Sequence, residues 1–216
     1  MEIWADTACT KEIEELQFYY KLYGVTTNPA IMSEVVDPKA ALKDLLAVQS
    51  GFLAVQVVSS NVVDMLEEAE ILSKINERII VKIPCTLAGY QAMRALSHLR
   101  LLATAMLEAN QYALALHFKC EYSAPYLGHV LPNSNELLDT LLEIQTNNHG
   151  PTKIMGAAIK NPEMYLACVR RGIDAITAPT DVLMAILGPN VESMKKTQQM
   201  NAQFQSKHQT SSWKDY

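Results

Sequence analysis

The chain has only four cysteines in 216 residues, and Cys9, Cys85, Cys120 and Cys168 stand far apart with no C-x-x-C pair. That spacing excludes the common zinc knuckles and the thioredoxin motif, and it offers no disulfide framework. Reduced, mostly buried thiols are the expectation. The five histidines never sit at i, i+4 around a glutamate, so no metal box is visible. Charge is scarce too: 19% of residues are charged, against roughly a quarter in average soluble domains. Lys and Arg number 18 against 23 Asp and Glu, a net charge of −5. A nucleic-acid partner would want a basic stripe, so none is expected. No run of about 18 apolar residues occurs; the richest stretch, 52–63, is broken by Gln56, Ser59, Ser60 and Asn61. No membrane partner is expected. The first residues include Glu2 and Asp6 and lack a basic-then-apolar signal pattern, which predicts a cytoplasmic protein. Ten methionines are many for this length and read as gap-filling core or interface residues.

What is present is alternation. Short apolar runs at 3–6, 25–27, 52–58, 78–84, 101–106, 122–125, 153–159 and 173–178 read as strands. Stretches with helical spacing lie between them, at 11–23, 38–50, 61–75, 87–99, 108–118, 136–146, 162–171 and 181–187. Asp37-Pro38 suits an N-cap and first helical position, and Gly172 stands where a helix C-cap belongs. Eight strands alternating with eight helices predict an α/β fold, a (β/α)8 TIM barrel over residues 1–188. A doubly wound open sheet is the runner-up, but it would normally use five or six strands, and no G-x-G-x-x-G turn follows the first. Residues 189–216 continue as a polar helix too weakly apolar for a core position, then a tail in which Trp213 and Tyr216 could be anchored by a neighbour.

Parallel strands covered on both faces should be continuously apolar. Several here carry one polar group near the carboxyl end, where barrel active sites are built. Asp6 ends the first, and Thr26, Thr27 and Asn28 end the second. Gln56, Lys82 and Thr104 interrupt the third to fifth, and Tyr126 follows the sixth. Side chains alternate along a strand, so Ile80, Lys82 and Pro84 share one face. If that face is inward, an ammonium sits among apolar walls, which lowers its pKa and frees the amine to attack a carbonyl. Each position has a bland reading as well: Lys82 paired with Asp6, Asp6 as a helix cap, Gln56 on a buried backbone group, Thr104 as an ordinary strand residue, Tyr126 as an amphipathic plug. As a ring they suit chemistry on a small polyhydroxylated carbonyl compound.

Gly24-Val25-Thr26-Thr27-Asn28-Pro29, Val81-Lys82-Ile83-Pro84-Cys85-Thr86, Ala124-Pro125-Tyr126 and the opening Ile3-Trp4-Ala5-Asp6-Thr7 resemble the small transaldolases and fructose-6-phosphate aldolases. The resemblance runs over nearly the whole chain, in order. It implies a (β/α)8 barrel using a class I mechanism with no metal or other cofactor. Lys82 would form a Schiff base with a ketone donor such as dihydroxyacetone or a ketose phosphate. Tyr126 would be the acid/base, through a water held by Gln56 and Thr104. Asp6 and Asn28 would orient substrate hydroxyls, with Thr26 and Ala124 among the substrate contacts. The resemblance also implies a homo-oligomer, a pentamer or a decamer, with the C-terminal helix on a neighbouring subunit.

Transaldolases of the family carry Glu at the position of Gln56 and commonly Phe at that of Tyr126, so this pair is similar to the aldolase subgroup, which cleaves fructose 6-phosphate. Transaldolase and a non-catalytic sugar-phosphate-binding barrel are the two alternatives. At the implied phosphate site, His129 stands where the family has an arginine, and Ala158 where it has a serine; Lys160 is retained. Losing a bidentate guanidinium and a hydroxyl should weaken phosphate recognition. The expectation is an acceptor that is non-phosphorylated or bound differently.

Overall fold

The computed structural model describes residues 1–130, 133–188 and 190–208. Eight parallel strands close into a barrel in sequence order: β1 (Glu2–Asp6), β2 (Gly24–Thr26), β3 (Phe52–Gln56), β4 (Ile79–Pro84), β5 (Leu101–Met106), β6 (Tyr122–Pro125), β7 (Lys153–Gly156) and β8 (Ala175–Ala178). β1 pairs with both β2 and β8, which removes every sheet edge. The first nine helices described are α1 (Thr10–Gln17), α2 (Pro29–Ser33), α3 (Pro38–Val48), α4 (Val62–Ser73), α5 (Leu87–Ala95), α6 (Ala109–His117), α7 (Ser134–Asn148), α8 (Pro162–Arg171) and α9 (Thr180–Leu187). The barrel is the expected TIM barrel. The chain clusters into two units, Met1–Ala185 and Ile186–Tyr216. The second holds α10 (Val191–His208), whose first turn is capped by Asn190 Oδ1 on the Ser193 amide at 2.9 Å. Trp213 and Tyr216 lie outside the described residues. Among those described, no helix is long and apolar enough to cross a membrane.

Local chemistry starts the helices close to the strand ends. Asn28, Asp37, Asn61, Thr86 and Asn161 each accept a backbone N–H of the first turn that follows. Pro29, Pro38 and Pro162 occupy early helical positions where no N–H is missed. Gly172 ends α8 in the left-handed region at φ 68°, a conformation a glycine adopts without penalty.

Alternation then sorts the strand side chains. Trp4, Ala54, Ile80, Leu102, Tyr122, Ala124, Met155, Ala157 and Ala175 pack as one buried cluster inside the barrel, with Phe52 and Tyr126 against it. Gly24 is required there, because a Cβ would run into the Trp4 ring and the Phe52 carbonyl. The amino-terminal end is closed by aromatics and charge. Trp4 meets Tyr122 edge-on at 5.5 Å, and the Arg100 guanidinium lies 3.9 Å over the Phe52 ring. Arg100 is held bidentately by Glu121 at 2.6 and 2.7 Å, and Lys153 donates to Glu2 at 2.6 Å. Space inside the barrel is therefore left at the carboxyl end of the strands. Cys85, Cys120 and Cys168 are free and buried, with burial pushing each thiol up to about 12; Cys9 is exposed.

Candidate active site

At that end a cavity of about 150 Å³ is lined by Asp6, Thr26, Asn28, Lys82, Thr104, Ala124, Tyr126, His129, Ala158 and Lys160, all singled out from the sequence. Thr177, Pro179, Leu102, Met155 and Ala157 complete it and were not anticipated. Thr177 had a usable signal: it is a polar residue near the carboxyl end of its strand, like Thr104. Gln56 does not line the cavity. It is the register partner of Lys82 on the next strand, and its buried Oε1 has no hydrogen-bond partner among the described residues.

Lys82 is buried, with 5% of its surface exposed. Its Nζ donates to the Thr27 carbonyl at 2.6 Å. Among the described residues it forms no ion pair with Asp6, so the salt-bridge reading of this lysine does not hold. Burial pushes its pKa down to about 8, while the Asp6 carboxylate pulls the other way. Asp6 is not a helix cap either: its Oδ1 accepts the Thr26 hydroxyl at 2.6 Å. Thr26 Oγ1 lies 2.6 Å from Thr177 Oγ1 as well. Asn28 Oδ1 accepts the Ile31 amide N–H at 2.9 Å, capping α2, which fixes the side chain beside the cavity.

Opposite, Tyr126 Oη and Thr104 Oγ1 are 3.2 Å apart. Thr104 is aimed by an irregularity in β5: the register with β6 shifts between Ala103 and Met106, and Ala105 is left-handed at φ 55°. An alanine there costs about 1–2 kcal/mol, and glycine's extra freedom in the unfolded chain takes back part of the relief. Ala105→Gly is therefore expected to stabilise the fold by about 0.5–1 kcal/mol in urea unfolding. An equal or lower midpoint would mean that the bulge is unstrained.

The rim carries the remaining predicted residues. His129 ends a 3-10 turn, Leu127–His129, with its ring 5.6 Å from that of Tyr126. Lys160 runs alongside Gly128, where a Cβ would sit 3.0 Å from its Cγ and collide with the Ala158 carbonyl. Ala158 is itself left-handed at φ 54°.

The chain matches one family model, Transaldolase/Fructose-6-phosphate aldolase, over residues 3–215. The chain belongs to the transaldolase/fructose-6-phosphate aldolase family. Membership makes it one of a family of enzymes and implies a sugar-phosphate substrate. Solved structures agree on the fold. An orotidine 5'-monophosphate decarboxylase from Metallosphaera sedula is similar at TM-score 0.58 and 10% identity, covering 91% of this chain and 96% of that one. A doubly substituted flavocytochrome b2 with sulfite bound gives TM-score 0.60 at 9% identity, over 85% and 57% of the two chains. At such identities the likeness is architectural and says nothing of chemistry.

Proposed function

We propose that this family member is a class I aldolase of the fructose-6-phosphate aldolase type, acting through a Schiff base on Lys82. The observation that carries the reading is the state of that lysine. At a pKa of about 8, roughly one amine in ten is uncharged at pH 7, against fewer than about one in a thousand for an ordinary lysine. The neutral amine adds to the C2 carbonyl of the ketose, and loss of water gives the iminium. Abstraction of the C4 hydroxyl proton then breaks the C3–C4 bond. Those bonding electrons pass into the iminium to form an enamine, and the aldehyde departs. Protonation at C3 and addition of water release dihydroxyacetone and return the amine. Tyr126, with Thr104 beside it, supplies and removes the protons, and Asp6 and Asn28 hold substrate hydroxyls.

Gln56 beside Lys82 and Tyr126 in the cavity favour the lyase over transaldolase. The rim supports a weakened phosphate contact, since Lys160 and His129 offer no planar bidentate fork. An acceptor aldehyde without phosphate, or one held differently, follows from that.

Borohydride reduction with dihydroxyacetone, then peptide mapping, tests the mechanism. A stable three-carbon adduct on Lys82 is expected, with its yield rising through a midpoint near pH 8. A folded protein with no adduct on Lys82 would remove the aldolase and transaldolase readings together and leave a non-catalytic sugar-phosphate-binding barrel. Ketose formed only with an acceptor aldehyde, and no free dihydroxyacetone, would favour transaldolase.

A further inference from the structure

Thr177 has no part in the steps above, yet it ends a chain of hydrogen bonds that has a single direction. The Thr26 hydroxyl owns one proton. Asp6 Oδ1, 2.6 Å away, belongs to a carboxylate that only accepts when ionised, so the proton points there. With that proton spent, Thr26 Oγ1 can only accept from Thr177 Oγ1, also at 2.6 Å. Thr177 therefore donates to Thr26, and Thr26 to Asp6. A hydroxyl that is accepting is a stronger donor, so the outer link tightens the inner one. Both threonines are buried, and they come from β2 and β8, the strands on either side of β1. Asp6 is thus held on its own side of the mouth, while Lys82 on β4 turns its proton to the Thr27 carbonyl. Opposite charges lining one small cavity would otherwise attract each other strongly.

We propose that the Thr177–Thr26 hydroxyl pair is a tether that holds Asp6 out of ion-pair reach of Lys82. It keeps the lysine a nucleophile and leaves the second carboxylate oxygen to accept a substrate hydroxyl. Thr177 is then a positioning residue. Its benefit to catalysis rests on the Schiff-base reading; the tether itself does not. The titratable groups sharing the cavity with Lys82 are Asp6, Tyr126, His129 and Lys160. Of these, the Asp6 carboxylate pulls Lys82 back toward its charged form.

The test is Thr177→Val, which keeps the shape and removes the donor. Trace acetic anhydride is applied to the folded full-length chain over about pH 6 to 11, and Lys82 acylation is read by peptide mass. This reports the amine whether or not the protein is an aldolase. The acylation midpoint is expected to rise from about pH 8 to about pH 9 as Asp6 swings toward the amine. Thr177→Ser should keep the wild-type midpoint. Thr26→Val, which removes the inner link, should move it in the same direction and serves if Thr177→Val does not fold. A role in packing alone would lower the melting temperature and leave the midpoint in place. An unchanged midpoint in the folded variants overturns the tether. Failure of the wild-type protein to trap dihydroxyacetone overturns the Schiff-base reading instead, and the midpoint still decides the tether.

Discussion

Replacing Lys82 by methionine is expected to abolish trapping of dihydroxyacetone and, in the same molecule, to raise stability at pH 7. The loss of turnover should be roughly 10⁴-fold or more, because the other lysine lining the cavity, Lys160, is an exposed rim residue and not on a barrel strand. The gain in stability follows from linkage. The folded-state pKa of about 8 lies below the ordinary value of 10.5. Between those two values the unfolded chain binds more protons, so stability rises with pH across that window. Below about pH 8 the full cost of holding the amine in the barrel applies, on the order of 3 kcal/mol. Methionine has no charge to desolvate and fills a similar volume, so Lys82→Met should gain about 2 kcal/mol at pH 7 in urea unfolding. Because every other group titrates alike in the two proteins, their difference isolates Lys82, and it should shrink toward zero by about pH 10.5. Equal stability at pH 7 would show that the amine is solvated in the cavity, and the argument for a neutral nucleophile would fall with it.

The barrel and the mouth were largely readable from the sequence because both obey short-range rules. Lys82, Asp6 and Thr104 were visible as polar breaks in apolar runs, and parity along β4 placed Lys82 with Ile80 on the inner face. Where strand ends were misjudged, a side chain or a backbone twist stops the ladder. The run expected to reach residue 58 ends at Gln56, since the amides of Val58 and Ser59 are taken by Glu68 Oε2 at 2.7 and 3.2 Å. The run expected to reach 159 ends at Gly156, because Ala158 turns left-handed. β8 starts two residues later than expected, and Asp174 before it instead accepts the Ile154 amide. The helix expected over 11–23 stops at Gln17, before the aromatic run Phe18-Tyr19-Tyr20. α2 went unseen: five residues are too few for a periodic signal, though its Asn-Pro start is an ordinary helix opening. Thr177 was missed because threonine is common in strands; its role depends on Thr26 from a strand 151 residues away in sequence, which no local pattern reports. Gln56 shows the converse limit: the pattern singled it out, yet it is not among the residues that line the cavity.

The phenol is the second place where one atom should change the outcome. Tyr126→Phe removes the hydroxyl that lies 3.2 Å from Thr104 Oγ1 and keeps the ring against the barrel core and beside His129. The fold should be nearly unaffected, since the lost hydrogen bond is with a hydroxyl at the cavity wall. Capture of dihydroxyacetone as the Schiff base needs Lys82 and is expected to survive, so the borohydride adduct should still form. What should fall is proton delivery to the enamine carbon, by roughly 10²-fold in the release of free dihydroxyacetone. A stranded enamine is a carbon nucleophile with a longer life. If a second aldehyde is supplied, more of it should leave as a new ketose, so the ratio of transfer to cleavage should rise while cleavage itself falls. That split is the decisive readout, because a general loss of activity would lower both products together. Equal losses of cleavage and transfer would assign Tyr126 to substrate orientation, and the proton would then have to reach the enamine by a route that does not use this hydroxyl.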